Sequence, residues 1–155
     1  MHAPADSLKS QDTYSDKAHV RDVIENYFHG LDTRDQDRLA ACFTEDAVAT
    51  HHHGSESEFT LSGGAEIARY FCAFMRKFTA TSHARSNSVV EITGDEAAAM
   101  TLSTVHVISN DQVRIRGIKY VDELVRVNGR WRIARRKHIQ LWQYEAVAVK
   151  PNLPR

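Results

Sequence analysis

Residues 112–144 read QVRIRGIKYVDELVRVNGRWRIARRKHIQLWQY, and this stretch decides the fold. Two runs rich in Val, Ile and aromatic residues meet at Asn128-Gly129, a dipeptide that favours a two-residue hairpin because both positions accept positive φ. Similar runs lie upstream, separated by Asn110-Asp111 and Gly94-Asp95. Thr79–Thr93, Ala97–Ser109, Gln112–Val127 and Arg130–Tyr144 are therefore predicted to be four long strands of an antiparallel meander.

Before Thr79 the period changes. Val20, Val23, Ile24, Tyr27, Phe28 and Leu31 recur at helical spacing, which predicts an amphipathic helix from near Ser15, with residues 1–14 as a flexible arm. A short helix over Asp35–Phe43, an extended segment Ala47–Thr50 and a turn at Gly54–Ser57 follow. Ser62-Gly63-Gly64 opens a third helix whose apolar face is Ile67, Tyr70, Phe71, Phe74, Met75 and Phe78. Three helices followed by a meander predict an α+β domain over residues 15–146, with 147–155 as a tail. Long strands curl as they twist, so the helices should cap a strongly curved, mostly antiparallel sheet, a cone-shaped α+β barrel around an apolar pocket.

The chain of 155 residues is long enough for one core with a cavity in it. Twenty basic and twenty acidic residues balance, so bulk charge selects neither nucleic acid nor an anionic membrane. The run Arg130, Arg132, Arg135, Arg136, Lys137 lacks interleaved stacking aromatics, which argues against a nucleic-acid patch. No apolar run approaches the ~20 residues of a membrane span, and the first residues are polar. Cys42 and Cys72 lack CxxC spacing and sit among apolar residues, the pattern of buried thiols in a reducing compartment; the expected location is cytoplasmic.

Two residues stand out chemically. Asp32 ends the first helix, and His83 opens the first long strand. An imidazole that exchanges a proton near neutral pH and a carboxylate that orients it are the minimal parts of a general base, provided the fold joins them. Read alone, Asp32 also serves as a helix terminator and His83 as a hydrogen-bonded strand residue. His106 shares parity with Met100, Leu102 and Ile108, which predicts an inward direction, as a pocket group or a core histidine. His51-His52-His53 invites a metal reading, but neighbouring strand residues alternate faces, so at most two of the three point together. No metal and no cofactor is expected.

The order of elements, with YFHGLDTRDQDRLAACFTEDAV early and GRWRIARRKHIQLW late, resembles the SnoaL-like branch of the nuclear transport factor 2-like superfamily over about residues 15 to 146. Within it, the pattern is similar to scytalone dehydratase, bile-acid 7α-dehydratase and hexachlorocyclohexane dehydrochlorinase. In those lyases an aspartate after the first helix supports a histidine that takes a proton from a ring carbon, and Asp32 and His83 occupy the matching positions. The resemblance further implies substrate-binding roles for Tyr27, Tyr120 and Arg136, and for His51, which stands where two of the dehydratases carry a pocket tyrosine. Leu31 and Gln140 depart from the family patterns, so no single substrate carries over. The implied activity is a cofactor-independent, dehydratase-like lyase or isomerase acting on a small cyclic, mostly apolar substrate. The alternative is a non-catalytic carrier or assembly module, since the superfamily also contains dioxygenase small subunits. A homodimer or homotrimer is implied by the same analogy.

Overall fold

The computed structural model describes residues 5–53 and 58–148, with side chains from residue 13 onward. Its elements are α1 (Ala5–Thr33), α2 (Gln36–Ala41), β1 (Phe43–His52), β2 (Glu58–Ser62), α3 (Gly64–Met75), β3 (Ala80–Thr93), β4 (Glu96–Ser109), β5 (Gln112–Val127) and β6 (Arg130–Val147). Helix α1 starts ten residues before the expected Ser15. The expected turn at 54–57 and most of the tail lie outside the described residues, and β2 is a strand that periodicity did not reveal.

The six strands form one open, mixed sheet in the order β2-β1-β6-β5-β4-β3. The predicted meander is present as β3 to β6, and its hairpin turns carry positive φ at Gly94, Asn110, Asn128 and Gly129. The first strand pairs in parallel with the last, while the other pairings are antiparallel. Three helices pack on this sheet. Val20, Ile24, Tyr27, Phe28 and Leu31 of α1 join Ile67, Phe71 and Met75 of α3 in a core that includes Ala49, Val105, Ile118 and Ile133. Gly30 lets α2 come close: a Cβ built on it would lie 2.9 Å from the Leu39 side chain.

Two bulges on β6 set which residues face this core. Ile133 pairs with Leu124 but Arg135 with Glu123, so Ala134 is an extra residue; Leu141 is extra in the same way between Gln140 and Trp142. Each extra residue reverses the alternation. Trp131 and Ile133 are buried before the first bulge, and Arg136 is buried after it. Unbroken alternation from Trp131 and Ile133 would put Arg136 on the opposite face.

Strand β4 corrects a second expectation. Its buried residues are Ala97, Ala99, Thr101, Ser103, Val105 and Val107. The parity shared by Met100, Leu102, His106 and Ile108 therefore faces away from the core, and His106 with it. The inward residues are on the whole smaller than Met100, Leu102, His106 and Ile108, so side-chain size is a poor guide to direction on this strand.

Candidate active site

Asp32 lies in the last turn of α1, where a negative charge opposes the helix dipole. It remains there because β3 supplies donors. Thr81 Oγ1 donates to Asp32 Oδ1 at 2.8 Å, and the His83 backbone N–H donates to Oδ2 at 2.9 Å. His83 Nδ1 lies 2.6 Å from Oδ1. Burial alone would raise the Asp32 pKa, but the bonds from His83 and Thr81 outweigh it and hold the carboxyl below the ordinary range. The acid is thus ionised and accepts only, so Nδ1 carries the hydrogen, and in the neutral imidazole Nε2 then keeps the lone pair.

The corner around the pair is fixed by further contacts. Arg34, in the left-handed region at φ 58°, bonds through its guanidinium to the carbonyls of Asp32 and Phe78, each at 3.1 Å. The Phe28 ring stacks on His83 with centroids 5.9 Å apart and planes 15° apart. The His83 side chain is 3% exposed. Helix end, loop and strand together therefore leave the imidazole one orientation.

His83 borders a cavity of about 100 Å³ lined by Phe59, Phe71, Phe74, Met75, Val105, Val107 and Ile118, with Tyr70, Arg116 and three histidines, His51, His53 and His138, as polar groups. An engineered cavity of about 150 Å³ binds benzene, so the space is on the scale of a single small ring. Burial pushes the His51 pKa down to about 3, and it also pushes His138 well below its ordinary value. Both imidazoles are neutral at physiological pH. One ring nitrogen from each of His51, His53 and His138 lies within 4.8 Å of the others, a grouping able to hold a metal ion. His51 Nε2 and His138 Nδ1 are buried without a hydrogen-bond partner.

Of the seven residues singled out from the sequence, Asp32 and His83 meet, and His83 and His51 line this cavity. Tyr27, Tyr120 and Arg136 form a separate layer not among the lining residues. Arg136 makes a bidentate pair with Asp122, at 2.7 and 2.8 Å, and its guanidinium carbon lies 4.0 Å from the Tyr27 ring centre and 4.8 Å from that of Tyr120. Burial opposes the Arg136 charge, but Asp122 outweighs it and raises the pKa. His106 stands on the far face. His53, Tyr70, Arg116 and His138 are lining residues that the sequence reading passed over. Strand spacing could have supplied His53, two residues after His51, and Arg116, two before Ile118. A larger open groove of about 550 Å³, near Val23, Arg38 and Trp131, contains no comparable acid–base pair.

A SnoaL-like domain model matches residues 12–137. Among solved structures, the fold is similar to a provisionally named scytalone dehydratase from Novosphingobium aromaticivorans, at 22% identity and TM-score 0.75, covering 92% of this chain and 97% of that one. It is also similar to hexachlorocyclohexane dehydrochlorinase type 3 from Novosphingobium barchaimii, at 17% identity and TM-score 0.78, covering 94% and 99%. A provisionally named aromatic ring hydroxylase from Novosphingobium aromaticivorans matches at 22% identity and TM-score 0.74, covering 87% and 94%. At these identities the likeness establishes the fold alone. No match was found among functionally curated proteins.

Proposed function

Because this chain belongs to the SnoaL-like family, we propose that it is a dehydratase-like lyase or isomerase that takes a proton from a small cyclic, mostly apolar substrate. The observation that carries this reading is the Asp32–His83 pair: Nδ1 is held at 2.6 Å by a carboxylate while the imidazole borders an apolar cavity. Nε2 accepts the proton from a carbon activated by a neighbouring carbonyl or ring. Asp32 stabilises the imidazolium that forms, and the C–H electron pair moves into the ring system as a leaving group departs from the adjacent carbon or as a double bond shifts. The imidazolium then returns the proton to the departing oxygen or to another carbon. A positioned acid–base group of this kind contributes about 10²- to 10⁴-fold. Dehydratase and dehydrochlorinase neighbours support the same class of chemistry.

The test is turnover and solvent-deuterium incorporation across a panel of single-ring ketones and ketols. His83→Ala should lower the rate by about 10²-fold or more, and Asp32→Asn should lower it as well. Rates unchanged in both variants would sink the reading.

A second reading is a binding or assembly module, favoured by the outer face of the sheet, where Leu141, Trp142 and Tyr144 are 50%, 46% and 55% exposed. We propose that copies of the chain pair through this face as a homodimer or homotrimer, whichever function holds. Light scattering on wild type and Trp142→Glu checks it: the variant should dissociate. The free, buried thiols of Cys42 and Cys72 support a cytoplasmic, reducing setting. No helix among the described residues is long and apolar enough to cross a membrane.

A further inference from the structure

We propose that His51, His53 and His138 form a binding site for a divalent first-row transition metal, zinc foremost, in the wall of the cavity that His83 borders. The topology builds the set. His51 and His53 lie two apart and share a face, and the parallel pairing of β1 with β6 sets His138 directly opposite His51. The bulge at Ala134 brings His138 to that same face. Sequence spacing therefore supplied two ligands, and strand pairing supplies the third.

Three observations point to a cation rather than to packing alone. One nitrogen from each ring converges within 4.8 Å of the others. His51 Nε2 and His138 Nδ1 are buried without a partner, a costly state that a shared ligand relieves. The His51 and His138 rings lie 4.5 Å apart with planes 35° apart and share no hydrogen bond, so they do not satisfy one another. His53 has an outer partner as well: its Nδ1 lies 3.5 Å from Gln140 Oε1, and in the tautomer with the hydrogen on Nδ1 the Nε2 atom is left for the ion. Zinc–nitrogen bonds of about 2.0 Å need ligand atoms roughly 3.3 Å apart, so the nitrogens close by up to about 1.5 Å, a movement within reach of side-chain rotation.

Three imidazoles leave a tetrahedral ion with one open position, the arrangement of catalytic rather than structural zinc. If the proton-abstraction reading holds, a substrate carbonyl oxygen takes that position. It then receives the electron pair released as His83 Nε2 removes the neighbouring proton. The binding site itself does not depend on that reading.

The test uses the full-length, metal-stripped protein titrated with Co²⁺ and followed by visible absorption, with Zn²⁺ as competitor. The expected result is a single tight site with the intense bands of tetrahedral coordination, displaced by Zn²⁺. His53→Ala and His138→Ala should each weaken binding by at least about 10-fold. His52→Ala should leave it unchanged, because His52 pairs with Glu58 at 2.8 Å on the opposite face. If His138→Ala fails to fold, the half-buried His53→Ala decides the matter. His83→Ala should retain Co²⁺ binding while losing turnover, which separates this inference from the function above. Absence of the bands in wild type, or bands equally strong in His53→Ala, would overturn it.

Discussion

Two acid-to-base contacts in the molecule are alike in length and differ in kind. Asp122 and Arg136 meet at 2.7 Å with side chains 0% and 1% exposed. Asp32 and His83 meet at 2.6 Å with the acid 26% exposed. In the first pair two opposite charges compensate each other in the core, and the arginine faces tyrosine rings rather than open space. In the second, one partner is an imidazole, a group able to accept a proton, and it borders a cavity. A compensated ion pair sealed in the core fixes structure; a proton acceptor at a cavity can do chemistry.

Breaking the Asp122–Arg136 pair sharpens that contrast most. Asp122→Ala leaves a guanidinium uncompensated in the core and should cost about 3–5 kcal/mol of stability in urea denaturation. Replacing both partners, as Asp122→Leu with Arg136→Met, should restore most of the loss. A single variant as stable as wild type would mean that the pair is not the structural element described.

The other pair should respond differently. Thr81→Val removes one of the three donors to Asp32 and should cost about 1 kcal/mol in stability. It should also lower activity, because the carboxylate is less firmly held. Full activity in Thr81→Val would show that Asp32 needs only His83.

The smallest effect is a dependence on pH. The folded Asp32 pKa is depressed below its ordinary value of 3.8, so the unfolded chain takes up that proton first. Its stabilisation is fully present above about pH 4 and fades as pH falls through the depressed folded value. Asp32→Asn should flatten this part of the acid limb of stability, read as thermal midpoint against pH. An acid limb identical in wild type and variant would remove Asp32 from the balance.

Much of the frame was legible in residues. The stripe from Val20 to Leu31, the face from Ile67 to Met75 and the turn at Asn128-Gly129 each repeat a local rule, and each formed as the rule requires. What was not legible depends on pairing between distant segments. Nothing local in Phe43–His52 says that it lies parallel to the last strand, and only that pairing places His138 beside His51. Nothing in GRWRIARRKHIQ marks Ala134 as an extra residue, yet it decides that Arg136 and His138 turn inward. His106 was misread for a different reason, because the core face of β4 is made of its smaller residues. Asp32 was the opposite case: an acid at the negative end of a helix breaks a local preference, and such departures collect where function lies.

The proposed chemistry requires Asp32 and His83 to act as one unit. Its most direct test is a double-mutant cycle on solvent-deuterium incorporation, using the best substrate from the ketone panel and comparing wild type, Asp32→Asn, His83→Ala and the double variant. Losses of about 10²- to 10⁴-fold are expected, with the double variant no slower than His83→Ala alone, because an acid that acts through an imidazole has nothing to orient once it is gone. Losses that multiply independently, or exchange that survives His83→Ala, would contradict it.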